Sequence, residues 1–161
     1  MKTILTIIIS VLAINTNIAQ NPNNQPFLGT WEVQENNKIF RVNIWENETN
    51  DGIDGHYWLI EVDANNNETI IDQSNKEIID GCNCSWNEAF SLGSPDGITA
   101  TGLIRDVTPL PKDITWIDGL LSMSIQQSNQ TTAHWIVSYD GPIHYEARFQ
   151  IPTNCILTKV D

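Results

Sequence analysis

The sequence predicts an all-β fold: a closed or nearly closed antiparallel meander barrel of eight to ten strands. Three observations carry that expectation. Apolar and polar residues alternate in short runs rich in β-branched and aromatic side chains, the pattern of half-buried strands. The runs are separated by turn residues, above all Asp-Gly pairs at 51–52, 54–55, 80–81, 96–97, 118–119 and 140–141. Asp-Gly tolerates the positive φ angles that tight hairpins require. No window keeps a helical period, and a long meander protects its edges best by closing on itself.

Taken in order, the chain opens on Met1-Lys2-Thr3, a short positive start. An apolar run from Ile4 to Ile14 follows, then a small residue, Ala19, just before Gln20. The run is short for a membrane span and is followed by Asn- and Pro-rich sequence, so residues 1–19 read as a cleaved secretory signal peptide. No cysteine lies at the cleavage point, so a lipid-modified N-terminus is not expected. Residues 20–26 are polar and expected to form a flexible lead that buries nothing. Residues 27–161 then make one barrel domain, secreted or periplasmic, of a size that supports a core. With 8 basic and 20 acidic residues the chain carries a formal charge of −12. Such a surface repels phosphate backbones and anionic membranes, which excludes nucleic acid as a partner. Membrane insertion is not expected, and no protein partner is specified.

The strand runs are individually legible. Phe40, Val42 and Ile44 alternate with Arg41, Asn43 and Trp45; His56, Trp58, Ile60 and Val62 alternate with Tyr57, Leu59, Glu61 and Asp63. Leu121, Met123 and Ile125 alternate with Ser122, Ser124 and Gln126. Asn36-Asn37, Asn65-Asn66-Asn67 and Ser128-Asn129-Gln130 supply further turns, whereas 75–92 is poorly patterned. For the hairpin 131–150, a three-residue loop at Asp140-Gly141-Pro142 pairs Val137 with Tyr145, Trp135 with Ala147 and Ala133 with Phe149. That register gives one continuous apolar face and sends His134, His144, Glu146 and Arg148 outward.

Groups suited to chemistry are sparse. After export, Cys155 is expected to pair with Cys82 or Cys84, which leaves one thiol over. A three-thiol metal site lacks a fourth ligand and the usual spacer, so no metal is expected. The three histidines do not cluster, and His56 falls on the face of Trp58 and Ile60. Asp63-x-Asn65-x-Asn67 and Asn47–Gly52 begin like calcium loops but lose the required glycine or terminal carboxylate, and ordinary turns are the better reading. No nucleophile elbow, zinc-protease helix or glycine-rich phosphate loop is present. No cofactor is implied, and the chain is not expected to be an enzyme. Trp45, beside Arg41 and Asn43, has the surroundings of a sugar- or protein-binding patch, or of a ring covered by a loop.

Near the start of the barrel, Phe27-Leu28-Gly29-Thr30-Trp31 resembles the opening of the lipocalin and wider calycin group of β-barrels. There a Gly-x-Trp begins the first strand, and a basic residue from the end of the barrel packs over the indole. The chain is most similar to an uncharacterised family of short secreted bacterial lipocalin-like proteins, through this box and Ile151-Pro152-Thr153…Leu157-Thr158-Lys159. The resemblance implies structural roles for Gly29, Trp31 and Lys159, with Arg148 as a substitute cation, and implies no known activity. It differs from typical lipocalins in lacking a Thr-Asp-Tyr box.

The expected function is that of a secreted, non-catalytic binding protein holding a small apolar or amphipathic molecule inside the barrel. Its candidate lining is Phe40, Val42, His56, Trp58, Ile60, Trp135, Tyr145 and Phe149. The alternative is a structural or interaction module with a side-chain-filled barrel and no ligand cavity, because rings in a small barrel can fill its interior.

Overall fold

The computed structural model describes residues 21–49, 51–75, 88–107, 116–140 and 147–160. Nine strands lie among them: β1 (Gly29–Glu35), β2 (Lys38–Glu46), β3 (Ile53–Val62), β4 (Glu68–Gln73), β5 (Phe90–Gly93), β6 (Thr99–Asp106), β7 (Ile117–Gln126), β8 (Asn129–Tyr139) and β9 (Asn154–Lys159). Eight of them form a closed antiparallel up-and-down ring, and β4 is appended to β3 outside it. One edge of the long β3 serves two strands: Ile53–Gly55 pair with β5, and Trp58–Val62 pair with β4.

Two seams of this ring are thin. Between β1 and β9 the paired residues are Trp31 with Lys159 and Glu32 with Thr158, extended by Val160 N–H donating to the Thr30 carbonyl at 2.9 Å. Between β3 and β5 three residue pairs are made, and Ala89 N–H adds a bond to the Gly55 carbonyl at 2.8 Å. Side chains reinforce both seams from inside.

Alternation places Trp31, Phe40, Val42, Ile44, Tyr57, Phe90, Leu92, Ile104, Leu121, Met123, Trp135 and Leu157 in one continuous core. The Phe40 ring lies 6.0 Å from Tyr57 and 5.5 Å from Trp135, and Phe90 lies 5.6 Å from Trp135. Each ring buried in this way stabilises by roughly 4–6 kcal/mol as an upper figure, before chain entropy is counted.

Glycines make the room. Asp54-Gly55 and Asp118-Gly119, expected as turns, lie inside β3 and β7, with both glycines buried. A Cβ on Gly55 would meet Phe90 Cζ at 2.1 Å, and one on Gly119 would meet Phe149 Cζ at 2.9 Å. These two pairs are therefore ring seats, whereas Gly97, at φ 69°, is a true turn glycine. Gly102 is tighter still, since a Cβ there would stand 2.0 Å from the Ser91 carbonyl oxygen. Backbone cannot rotate aside as a side chain can. Gly102→Ala is expected to pry β5 from β6 at a cost of about 3 kcal/mol, read as a lower midpoint in urea. An unchanged midpoint would refute the tight contact.

Two expectations about chain path are corrected. The polar lead is docked: Asn24 is fully buried, and its Nδ2 donates to Glu46 Oε1 at 3.1 Å and to the Gly52 carbonyl at 3.2 Å. Short polar side chains satisfy the strand ends there, and Phe27 fills the barrel end below them, fully buried. The hairpin 131–150 is also not formed as read. Trp135 pairs with Cys155 and Ala133 with Leu157, so β8 uses β9 in place of residues 147–149. The alternation of β8 survives the change, because Ala133, Trp135 and Val137 still point inward. Among the residues assigned to the outer face, His134 lies beside Ile156 and bonds Asn154, while His144 and Glu146 fall outside the described residues.

Candidate functional site

The core residues proposed as a lining, Phe40, Val42 and Trp135, are packed against one another and their neighbours. Phe149 stacks on Tyr139 at 4.7 Å. Tyr145 lies outside the described residues.

His56 and Trp58 are placed on the opposite face from the one expected. Tyr57 is fully buried within the core, so its strand neighbours face outward. The cause is a distant ring: Gly55 and Tyr57 carry the inward side of β3 around Phe90, a role that apolar alternation alone does not reveal. Ile60 has the outward parity and is buried beside Ile70 of β4, where the register shifts by a bulge, and it stands apart from the central core.

The barrel wall of β2, β3 and β4 therefore carries an aromatic ladder. Its rows, set by strand register, are Arg41 with Trp58 and Gln73, Asn43 with His56 beside Ser74, and Trp45 with Asp54 and Ser91. The His56 ring lies 5.2 Å from Trp45 and 6.3 Å from Trp58, tilted by 51° and 72° respectively. Trp45 is 36% exposed. Arg41 at one end is committed, pairing with Glu32 and bidentately with Glu68 at 2.9 Å. Asp54 at the other end keeps a buried Oδ1 with no hydrogen-bond partner.

Among the described residues, two open clefts adjoin the barrel. One, of about 180 Å³, sits at the mouth and is lined by Val33, Phe40, Leu59, Ile60, Ile71 and Gln150 among others. The other, of about 270 Å³, crosses β5, β6 and β7 on the outside, where Arg105 pairs with Asp118 at 2.7 Å and lies 5.1 Å from the Trp116 ring centroid. Glu88 on its rim is raised above the usual carboxylate range by burial, then by Asp54 and Glu48.

The terminal boxes meet at the thin β1–β9 seam. Trp31 is fully buried, its Nε1–H donates to the Phe27 carbonyl at 2.7 Å, and Lys159 Nζ stands 5.4 Å from its ring centroid. Gly29 has φ 108°, a conformation open essentially to glycine alone. Arg148 is exposed and is not the residue over the indole.

Cys155 is a free, half-buried thiol on the inward side of β9, and Cys82 and Cys84 lie outside the described residues. Among the described residues Cys155 has no disulfide partner, and both partners expected for it lie outside them. Ladder bonds to β8 and the Lys159 end of the strand hold β9 in place. Burial, and then the charge of Glu35, push the Cys155 thiol up to about 11. At pH 8 it is a poor nucleophile, with roughly a hundredfold less thiolate than an ordinary cysteine. Iodoacetamide followed by peptide mapping should therefore label Cys155 slowly in the folded protein and rapidly in urea. Fast labelling of the native chain would contradict the burial.

The two calcium-like segments are hydrogen-bonded turns. Asp63 accepts from Asn65 N–H, Asn67 N–H and Asn67 Nδ2, each at 2.8 Å, and these bonds, led by Asn67, hold its carboxyl below the usual range. Asn47 Oδ1 accepts from Asp51 and Gly52 N–H. Among the described residues no group of three His, Cys, Asp or Glu is placed to hold a metal, and no helix is long and apolar enough to cross a membrane.

Residues 1–96 match the family described as Family of unknown function (DUF6705). The chain belongs to that family. No curated protein and no solved structure matches the chain. Nothing in this family or among the described residues indicates catalysis.

Sequence reasoning missed Asp106, which is fully buried. Its Oδ1 accepts from Tyr57 Oη at 3.1 Å and its Oδ2 from Gln150 N–H at 2.6 Å, while Tyr57 Oη accepts from Val107 N–H at 3.0 Å. The one available signal was its inward parity in β6, two residues after Ile104.

Proposed function

We propose that this protein is an exported, non-catalytic binding module with a side-chain-filled barrel that recognises its target with its outer wall. The observation that carries this is the division of aromatic rings. Phe40, Tyr57, Phe90 and Trp135 occupy the barrel centre in mutual contact, while Trp45, His56 and Trp58 stand outside. A small apolar ligand inside the barrel has weaker support. The mouth cleft, at about 180 Å³, falls below the ~300–1,000 Å³ of typical ligand sites. Export rests on the leader at 1–19, and the exclusion of nucleic acid rests on the charge of −12. Kinship to lipocalins belongs to the same proposal, supported by Gly29-x-Trp31 at the start of β1 and Lys159 over the indole.

Native mass spectrometry of the protein recovered from its host's exported fraction tests this reading. The expected result is the bare mass of a chain beginning at Gln20. A retained small apolar molecule would overturn the filled barrel, a mass that includes residues 1–19 would overturn cleavage before Gln20, and absence of the protein from the exported fraction would overturn export.

A further inference from the structure

We propose that the Trp45–His56–Trp58 ladder is a binding site for a neutral polysaccharide chain, an inference that rests on the outer-wall reading above and gives it a ligand class. A sugar ring has an apolar C–H face and a rim of hydroxyls, so its site needs aromatic faces flanked by hydrogen-bonding groups. This wall supplies both. Three rings follow one another at 5.2 and 6.3 Å, and Asn43, Asp54, Gln73 and Ser91 lie on the neighbouring strands in register with them.

Asp54, half-buried at the Trp45 end, stands in register with Trp45 and Ser91 and adds a carboxylate to the polar groups beside the rings.

Charge narrows the ligand further. The guanidinium of Arg41, at the Trp58 end, is already occupied by Glu32 and Glu68, and the whole chain carries −12. Among the described residues of this wall, an anionic polysaccharide, phosphate or sulfate would meet a guanidinium already paired and a repulsive field. A purely apolar partner would bury Asn43 and Asp54 without replacing their bonds to water. The geometry also favours one chain over a crystalline sheet. The rings are tilted by 51° and 72°, so the surface is stepped, as suits a single twisted chain.

Affinity electrophoresis of the mature protein tests the site, in gels containing hydroxyethyl cellulose, laminarin, xyloglucan or galactomannan, with polygalacturonate as the anionic control. At least one neutral polymer should retard the protein, with no retardation by polygalacturonate. Trp45→Ala, whose ring is the most exposed of the three, should weaken retardation at least tenfold with an unchanged circular dichroism spectrum. Asp54→Asn should weaken it severalfold, which a ring acting only as a structural cover would not predict. Retention by no neutral polymer, equal retention of the Trp45→Ala variant, or retention by polygalacturonate alone would each overturn the proposal. If saccharide binding fails while native mass spectrometry shows a bare chain, the filled barrel stands and only this ligand class falls.

Discussion

Replacing Trp31 with alanine should destabilise the protein by about 3–5 kcal/mol, the range for buried large aromatics. Three effects converge at this position. The indole is fully buried, its Nε1–H holds the Phe27 carbonyl, and its face supports Lys159. The position matters as much as the area, because Trp31 and Lys159 form one of the two register pairs that join β1 to β9. Loss of the indole therefore leaves a cavity and loosens the closure together. Thermal unfolding followed by near-ultraviolet circular dichroism should show a midpoint lower by roughly 10 °C or more. Trp31→Phe should recover most of the loss, because it restores ring volume and sacrifices one hydrogen bond worth about 1 kcal/mol. Lys159→Met should cost about 0.5–1 kcal/mol, as for a partly exposed cation–π contact. A Trp31→Ala midpoint within 2–3 °C of wild type would contradict the seam assignment, since ~1 kcal/mol already moves a domain of this size by that much.

Asp106→Ala should cost about as much, roughly 3–5 kcal/mol, for a different reason. The carboxylate is fully buried and accepts from Tyr57 Oη and from Gln150 N–H. Its removal strands two donors in an apolar interior, and each unsatisfied group costs about 1–3 kcal/mol. The network also spans the second thin seam. β5 covers only the first residues of β3, and the Tyr57 side chain reaches from β3 to the end of β6, where it also receives Val107 N–H. Gln150 ties the segment before β9 into the same point. Tyr57→Phe should cost less, about 1–3 kcal/mol, because its ring still packs against Phe40. The double variant should be clearly less destabilised than the sum of the two, since both changes break one network. Additive losses in urea unfolding would show that Tyr57 and Asp106 act separately.

All-β character and the meander were legible in the sequence because they depend on local pattern. Strands such as 38–46 and 117–126 alternate because one face meets a core and the other meets water. The Trp31–Lys159 contact was implied by the resemblance of the two terminal boxes to the lipocalin pattern, and the structure shows it. Three things were decided only by tertiary structure. Which face of β3 is inside depends on Phe90 packing over Gly55, thirty-five residues away in sequence, so His56 and Trp58 moved outward against the apolar pattern. Which strand lies beside β8 depends on the competition between 147–149 and β9. Both offer apolar residues in alternation, and the tie is broken by closure with β1, a non-local event. The Asp106 network was hidden because a buried carboxylate breaks the apolar pattern it belongs to, and its partners Tyr57 and Gln150 lie 49 and 44 residues away. Local sequence sets which residues alternate; only the closed barrel decides which side of each alternation faces inward.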